Sequence, residues 1–433
     1  MTMQAWFGGC PMGHRRPAVQ IPEIFYMVTF KHTQLKNGMD IVAEINPEAQ
    51  SVAIGFMVKT GARDESGEVN GVSHFLEHMM FKGTSHRSSA DVNREFDAMG
   101  ARNNAFTSNE VTCYWAHILP EFLPDALDLL ADMMRPALRG EDFDMEKKVI
   151  LEEIALYLDR PGHVLYEAVM EDHFRNHPLA HSVLGTKESI TALTRDQMQT
   201  YFDARYGPGN MVLAVAGKLD FDELVRLSEQ KCGHWKHLDV HRQYPAAEFR
   251  GGVRHITDPK LKRHYVAMIC PGPSAQHDGR YAGQVLSDVI GDHDGSRLYW
   301  ALVEPGLADE ADFSFYPHDG MGSFFAYASC DPARSGQVAE ILRGELKKIC
   351  DNGLTDQEIS RSKNKIATAA VLQGELPLGR MRNICSRWIY NQEYKTLEED
   401  LQLLEGVDAA AIKKVIHEFP FSPLTTNTLG PAR

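Results

Sequence analysis

The segment His74-Phe75-Leu76-Glu77-His78 constrains this chain more than any other stretch. On a helix, residues three and four apart share a face, so His74 and His78 can grip one metal ion. Glu77 lies beside His78 and can lean over the same ion. Two neutral imidazoles suit zinc, and a nearby free carboxylate suits a general base acting on zinc-bound water. The spelling H-x-x-E-H reverses the commoner H-E-x-x-H signature of zinc peptidases. Its neighbours Val72, Phe75, Leu76, Met79, Met80 and Phe81 are apolar. In such a setting two histidines and a glutamate are costly unless paired or coordinated.

Catalytic zinc usually takes three protein ligands and leaves one position to water. The segment Glu141–Asp159 reads as an amphipathic helix whose apolar positions are Phe143, Val149, Ile150, Ile154 and Leu158. Within it Glu146 and Glu153 stand two helical turns apart and point the same way, while Glu152 points about 100° off. Taken singly, any of these glutamates also fits a solvated acidic helix face.

Together, and in this order, these segments resemble the inverzincins of the pitrilysin/insulinase family, peptidase family M16, in its short two-domain type, similar to the mitochondrial processing peptidases. GVSHFLEHMMFKGT is similar to that family's active-site helix and VILEEI to its third-ligand helix. The resemblance implies a zinc (Zn2+) site with His74, His78 and Glu153 as ligands, Glu77 as the base and Glu146 orienting the site. Asn104, Ala105 and Phe106, continued by Thr107 and Ser108, resemble the edge strand on which substrate peptide adds as an extra strand. It also implies an α+β fold of two duplicated domains, each a largely antiparallel sheet with helices packed on one face.

The element order agrees with a duplication. Two strand-like runs between Phe25 and Lys59 flank Asn37-Gly38, a strong hairpin signal. The zinc helix, a helix near Ser89–Met99, strands around Asn104–Thr107 and Val111–His117, and helices through Glu121–Arg175 follow. A helix at Thr194–Tyr206 leads into a strand at Met211–Ala216. After the polar stretch His237–Gly252 the order begins again with a strand at His264–Cys270 and a helix at Arg280–Ile290. Strands near Ala311–Tyr316 and Ser323–Ser329 come next, then helices over Arg334–Asn352, Asp356–Gly374, Pro377–Tyr390 and Asp408–Glu418. The strand Leu424–Leu429 closes the half as Met211–Ala216 closes the first. The expected organisation is a tail over 1–25, a zinc-bearing domain over 26–236, a linker over 237–252 and a second domain over 253–433.

At 433 residues the chain exceeds one ordinary core. No apolar run is long enough for a membrane span, and residues 1–25 carry Arg15-Arg16 without the apolar stretch of a signal peptide. The seven cysteines are scattered, odd in number and without C-x-x-C, the usage of a reducing compartment, so a cytoplasmic location is expected. A net charge of −14 argues against nucleic-acid partners. It could line a chamber preferring basic peptides; general solubility is the simpler account.

The second half holds a departure from the family pattern. Members carry an Arg and a Tyr seven residues apart in a stretch like LREKRGLAY, opposite the zinc, where they stabilise the tetrahedral oxyanion. The matching stretch here is Ala301-Leu302-Val303-Glu304-Pro305-Gly306-Leu307-Ala308-Asp309. It is one residue short, with Val303 at the Arg position and Asp309 at the Tyr position. Ser296-Arg297-Leu298-Tyr299 before it and Asp319-Gly320 after it anchor the comparison.

Two other segments invite chemistry. His173 and His177 are four apart near Glu171 and Asp172, a spacing open to a second metal. Their place at a helix end before Pro178 favours a surface or turn role. Gly207-Pro208-Gly209-Asn210 lacks the lysine and glycine spacing of a phosphate loop and reads as a turn.

The expected activity is zinc-dependent endopeptidase action on peptides or unfolded segments. Dimerisation is implied, either with a second copy or with an M16-like paralogue supplying the Arg/Tyr pair. The alternative is a non-catalytic structural or peptide-binding subunit of an M16-like complex.

Overall fold

The computed structural model describes residues 28–292 and 294–432, so the expected tail over 1–25 lies outside the described residues. Strands β1 (Thr29–Gln34) and β2 (Asp40–Ile45) pair antiparallel across the expected Asn37-Gly38 turn. Gly38 has φ +90°, a conformation that favours glycine, and Asn37 ties the turn to the Cys232 carbonyl through Nδ2 at 2.8 Å. Next come β3 (Val52–Val58), α1 (Val72–Met80), α2 (Ser89–Ala98), β4 (Arg102–Thr107) and β5 (Thr112–Ile118). Helices α3 (Leu123–Met133), α4 (Gly140–Leu158), α5 (Pro161–Phe174), α6 (Lys187–Ala192) and α7 (Arg195–Arg205) follow. Then come β6 (Met211–Gly217) and α8 (Phe221–Cys232).

The second half runs β7 (Gly252–Thr257), β8 (His264–Gly272), α9 (Arg280–Gly291), β9 (Glu310–His318) and β10 (Met321–Cys330). It ends with α10 (Ser335–Asn352), α11 (Asp356–Gly374), α12 (Pro377–Asn391), α13 (Leu397–Glu405), α14 (Ala409–Glu418) and β11 (Thr425–Gly430). Elements α6, α8, α13 and β7 add to the sequence expectation. Strand β7 is exposed along nearly its whole length, so it carries no apolar alternation to read.

The two sheets have the same plan. Their orders are β1-β2-β6-β3-β5-β4 and β7-β11-β8-β10-β9. Strands β6 and β11 each enter the middle of a sheet, parallel to one neighbour and antiparallel to the other. The α+β duplication expected from element order is thus present in the topology.

Alternation along the strands then dictates two cores per sheet. In the first sheet Ile41, Ile54, Phe56, Leu213 and Val215 face the main helical layer, which includes α1, α3 and α8. Their neighbours Val42, Ala53, Met57, Val212 and Ala214 face the other way, onto Met381, Ile384 and Cys385 of α12. In the second sheet Val266, Met268 and Cys270 face α9, α10 and α14. Ala267 and Ile269 face Leu165, Val169 and Phe174 of α5. Most helices pack on one face of each sheet, as expected. The opposite face takes a single helix lent by the other half, α12 in one direction and α5 in the other.

Buried charges hold the seam where this exchange occurs. Arg380 of α12 forks onto Glu44 of β2, whose carboxylate also accepts from the Tyr394 hydroxyl at 3.0 Å. Glu110 pairs with buried Arg63, accepts from the Tyr390 hydroxyl at 2.9 Å and from the Asp319 amide at 3.0 Å, and lies 3.6 Å from His318. Burial works against the charge on Glu110. The hydrogen bond and charge of His318, with the charge of Arg63, outweigh it and hold the carboxyl at about 2 instead of 4.5.

This depression fixes a pH dependence. The folded value lies below the unfolded one, so the stabilisation is complete above pH 4.5 and is lost as pH falls from 4.5 toward 2. Its size is about 3 kcal/mol. Glu110→Gln is expected to unfold at lower urea at neutral pH, because Arg63 loses its partner. The variant should also lose less further stability between pH 4.5 and pH 3 than the parent. Urea melts across that range check this, and equal acid slopes in both proteins would contradict it.

Candidate metal centre

Helix α1 starts at Gly71, whose φ is +92° and whose missing Cβ would stand 2.7 Å from the Leu184 carbonyl oxygen. Gly71 has no side chain to cap the helix, and Glu65 does so from outside. Its carboxylate accepts from the Gly71 amide at 2.7 Å, the Ser73 amide at 2.8 Å and Asn70 Nδ2 at 2.9 Å. Complete burial pushes this carboxyl up to about 7 in spite of those bonds. The start of α1 is therefore fixed one turn before the histidines.

Helix α4 is brought to α1 by an aromatic stack. The Phe75 and Phe143 rings lie 4.8 Å apart and 12° from parallel. Phe143, Glu146, Ile150 and Ile154 form the buried line of α4. Val149 and Leu158, expected among its apolar positions, are exposed instead. Residue 149 is rotated about 100° from 150, outside a narrow stripe, whereas 158 lies only about 40° from 154 and is exposed as the last residue of the helix.

Glu146 and Glu153 consequently meet the two histidines. Glu153 Oε2 lies 3.8 Å from His74 Nε2 and 3.6 Å from His78 Nε2. One ligand atom from each of the three residues lies within 4.8 Å of the others. Glu146 Oε1 is 2.8 Å from His78 Nδ1, and its other oxygen is 2.5 Å from Lys82 Nζ. That bond fits a proton on His78 Nδ1, turning the Nε2 lone pair toward Glu153. Burial, helped by the charge of His78, lowers His74 to about 3 and keeps its ring neutral. For His78 burial has the opposite sign to the net effect. The hydrogen bond and charge of Glu146 overcome it and raise the value.

Glu77 belongs to the same turn but makes a different contact. Its Oε2 accepts from Thr107 Oγ1 at 2.5 Å, at the end of β4. Burial raises its carboxyl, with the Thr107 bond opposing. Asn104, Ala105 and Phe106 lie on β4, which among the described residues pairs with β5 on one side only and forms the free edge of the sheet. All three expected ligands, the expected base and the expected edge strand therefore converge. Sequence reasoning missed Glu65 and Lys82, and it placed Thr107 on the edge strand without its bond to Glu77. Lys82 alone had a local signal, four residues after His78 on the same helical face.

Elsewhere the picture differs. Val303 ends a π-helical turn, Tyr299–Val303, and Asp309 forms an ion pair with Arg263. His173 and His177 are buried, not on the surface, among Phe174 and Phe249. They act separately. His173 Nδ1 bonds Thr425 Oγ1 at 2.9 Å, and His177 Nδ1 accepts from the Leu179 amide at 3.1 Å, the turn role.

Two family models match the chain. Residues 40–187 match the insulinase family, peptidase family M16, and residues 192–366 match the peptidase M16 inactive domain. An uncharacterized zinc protease of Streptomyces coelicolor is 32% identical over 418 residues, 94% of this chain and 90% of its own length. One from Mycobacterium tuberculosis is 31% identical over 410 residues, 93% of each chain. A protease from Helicobacter pylori superposes with a TM-score of 0.87 at 20% identity, covering 94% of this chain and all of its own. The fold, and relatives of this identity along nearly the whole length, lead to one assignment: the chain belongs to peptidase family M16.

Proposed function

We propose that this chain is a zinc-dependent endopeptidase acting on peptides or unfolded segments. The observation that carries the reading is the convergence of His74, His78 and Glu153 beside Glu77 and a free sheet edge. Two imidazoles and one carboxylate are a donor set of catalytic zinc. Ligand atoms about 2.1 Å from a tetrahedral ion stand about 3.4 Å apart. The separations of 3.6 and 3.8 Å to Glu153 are within a few tenths of an ångström of that, and all three donor atoms lie within 4.8 Å of one another, so the donor set can close on the ion. Zinc bound there supplies Lewis-acid activation of water and of the scissile carbonyl.

The protein's own groups do the rest. Thr107 holds Glu77 Oε2, leaving Oε1 to take the proton from the attacking water and return it to the departing amine. Glu146 orients His78, and Lys82 orients Glu146. Strand β4 presents Asn104, Ala105 and Phe106 to an extended substrate, which a folded protein cannot offer. The domain division at 26–236 and 253–433 belongs to the same proposal. So does a cytoplasmic location, in keeping with the free cysteines. No helix among the described residues is long and apolar enough to cross a membrane.

Oxyanion stabilisation is the incomplete part. With Val303 and Asp309 at the expected Arg and Tyr positions, we assign that role to a partner chain of the same family, in a heterodimer. A non-catalytic subunit is the second reading, favoured by those two residues alone and opposed by the assembled ligand set.

Three outcomes are expected. The purified chain and its Glu77→Gln variant should each bind about one zinc, with peptide cleavage reduced roughly 100-fold or more in the variant. A wild-type chain without zinc affinity would defeat the enzyme reading. Glu146→Gln should weaken zinc binding roughly 10- to 100-fold in chelator competition while the fold persists. Co-expression with an M16-like paralogue should raise activity far above that of the chain alone. Full activity from this chain by itself would remove the heterodimer.

A further inference from the structure

Arg382 lies on α12, the helix that the second half lends to the first sheet. Its guanidinium stands 4.9 Å from the Trp115 ring centroid and 5.6 Å from that of Phe106. Trp115 is the register partner of Asn104, and Phe106 is two residues further along β4. The cation is thus poised over the free edge strand, at the residues proposed to meet substrate.

The pleat decides what it can touch. Thr107 and Ala105 face α1 and its core, whereas Phe106 faces the core shared with α12. A peptide added beside β4, about 4.8 Å away, repeats this alternation. Where one of its side chains faces Glu77, those of the adjacent residues face Arg382.

Charge then selects the ligand. Arg382 borders a groove of about 610 Å³ that also contains Arg280 and Arg387, with no Asp or Glu among its described lining residues. Arg280 and Arg387 already have carboxylate partners, each 3.5 Å from Glu393, and Arg387 also pairs with Asp400. Arg382 is exposed and lies over the two rings, with no carboxylate in ion-pair reach among the described residues. In a chain of net charge −14, an uncompensated cation at a peptide-binding edge is a site for an anion.

We infer that Arg382 determines specificity by pairing with an Asp or Glu side chain of a peptide laid along β4, next in sequence to the residue facing Glu77. This rests on the peptidase reading and names its substrate preference. It differs from the basic-peptide preference that net charge alone suggests.

The test measures binding of uncleaved peptides to the Glu77→Gln chain by fluorescence anisotropy. The probes are extended peptides of one length carrying Glu, Gln or Lys at successive positions. Glu peptides are expected to bind about fivefold tighter than their Gln counterparts at low salt, with the difference shrinking as salt is added. Adding Arg382→Gln, which keeps the stem over the rings, should abolish the ranking. Adding Arg382→Glu should turn it toward Lys. If no peptide binds, the peptidase reading itself falls. If peptides bind but rank alike in all three proteins, Arg382 serves only to cover Phe106 and Trp115, and the inference is overturned.

Discussion

Each sheet of this protein has two apolar faces, and leaving either one bare would expose its side chains to water. The remedy is reciprocal: α12 crosses to the first sheet and α5 to the second. Burying one large aliphatic or aromatic side chain contributes about 1.5–3 kcal/mol, and each loan buries several. Separating the halves would expose two sheet faces at once. The candidate centre depends on this, because α5 follows α4 directly, and α4 carries Glu146 and Glu153. The ligand helix is anchored at one end by Phe143 against Phe75 and at the other by its successor's packing on the second sheet.

The polar groups along the seam specify how the halves meet. Buried ion pairs such as Arg63–Glu110 and Arg380–Glu44 add little net stability over well-packed apolar residues, yet leaving one member unpaired costs several kcal/mol. A shifted docking of α12 would strand Glu44, and a shifted Asp319 turn would take an amide and His318 away from Glu110. Apolar packing tolerates small slips that these pairs do not. The seam therefore fixes where α12 sits, and with it the position of Arg382 over Phe106.

Much of this was legible in the sequence, for identifiable reasons. His74, Glu77 and His78 share one turn, so helical geometry alone groups them. The seven-residue spacing of Glu146 and Glu153 gave a common direction, though only the Phe75–Phe143 stack makes that direction point at the histidines. The hairpin at Asn37-Gly38 and the repeat of element order were local signals, and both hold. The helix exchange was not legible. Met381, Ile384, Cys385 and Trp388 mark α12 as amphipathic, but a stripe does not name the sheet it covers. Glu65 was equally hidden: a carboxylate capping a helix six residues onward across a turn looks like any surface acid. Val149 and Leu158 misled because a moderately amphipathic helix offers more apolar residues than its neighbours can cover.

The two halves, built on one plan, have divided the chemistry unequally. In the first, α1 carries two imidazoles and a carboxylate, and α4 supplies a third donor. In the second, the last residue before β9 is an aspartate engaged with Arg263. A developing oxyanion requires preorganised donors aimed at it, and an anionic side chain held by its own cation offers none. Lys82 is committed to Glu146, and Arg382 lies across the sheet from α1, among side chains facing α12. Lys82 thus already has a task beside the ligands, and the one proposed for Arg382 lies at the substrate edge. Under the proposed heterodimer, a centre that brings its own base and donors is one half of a catalytic surface. The free edge at β4 is the side from which a second surface can approach without disturbing either core.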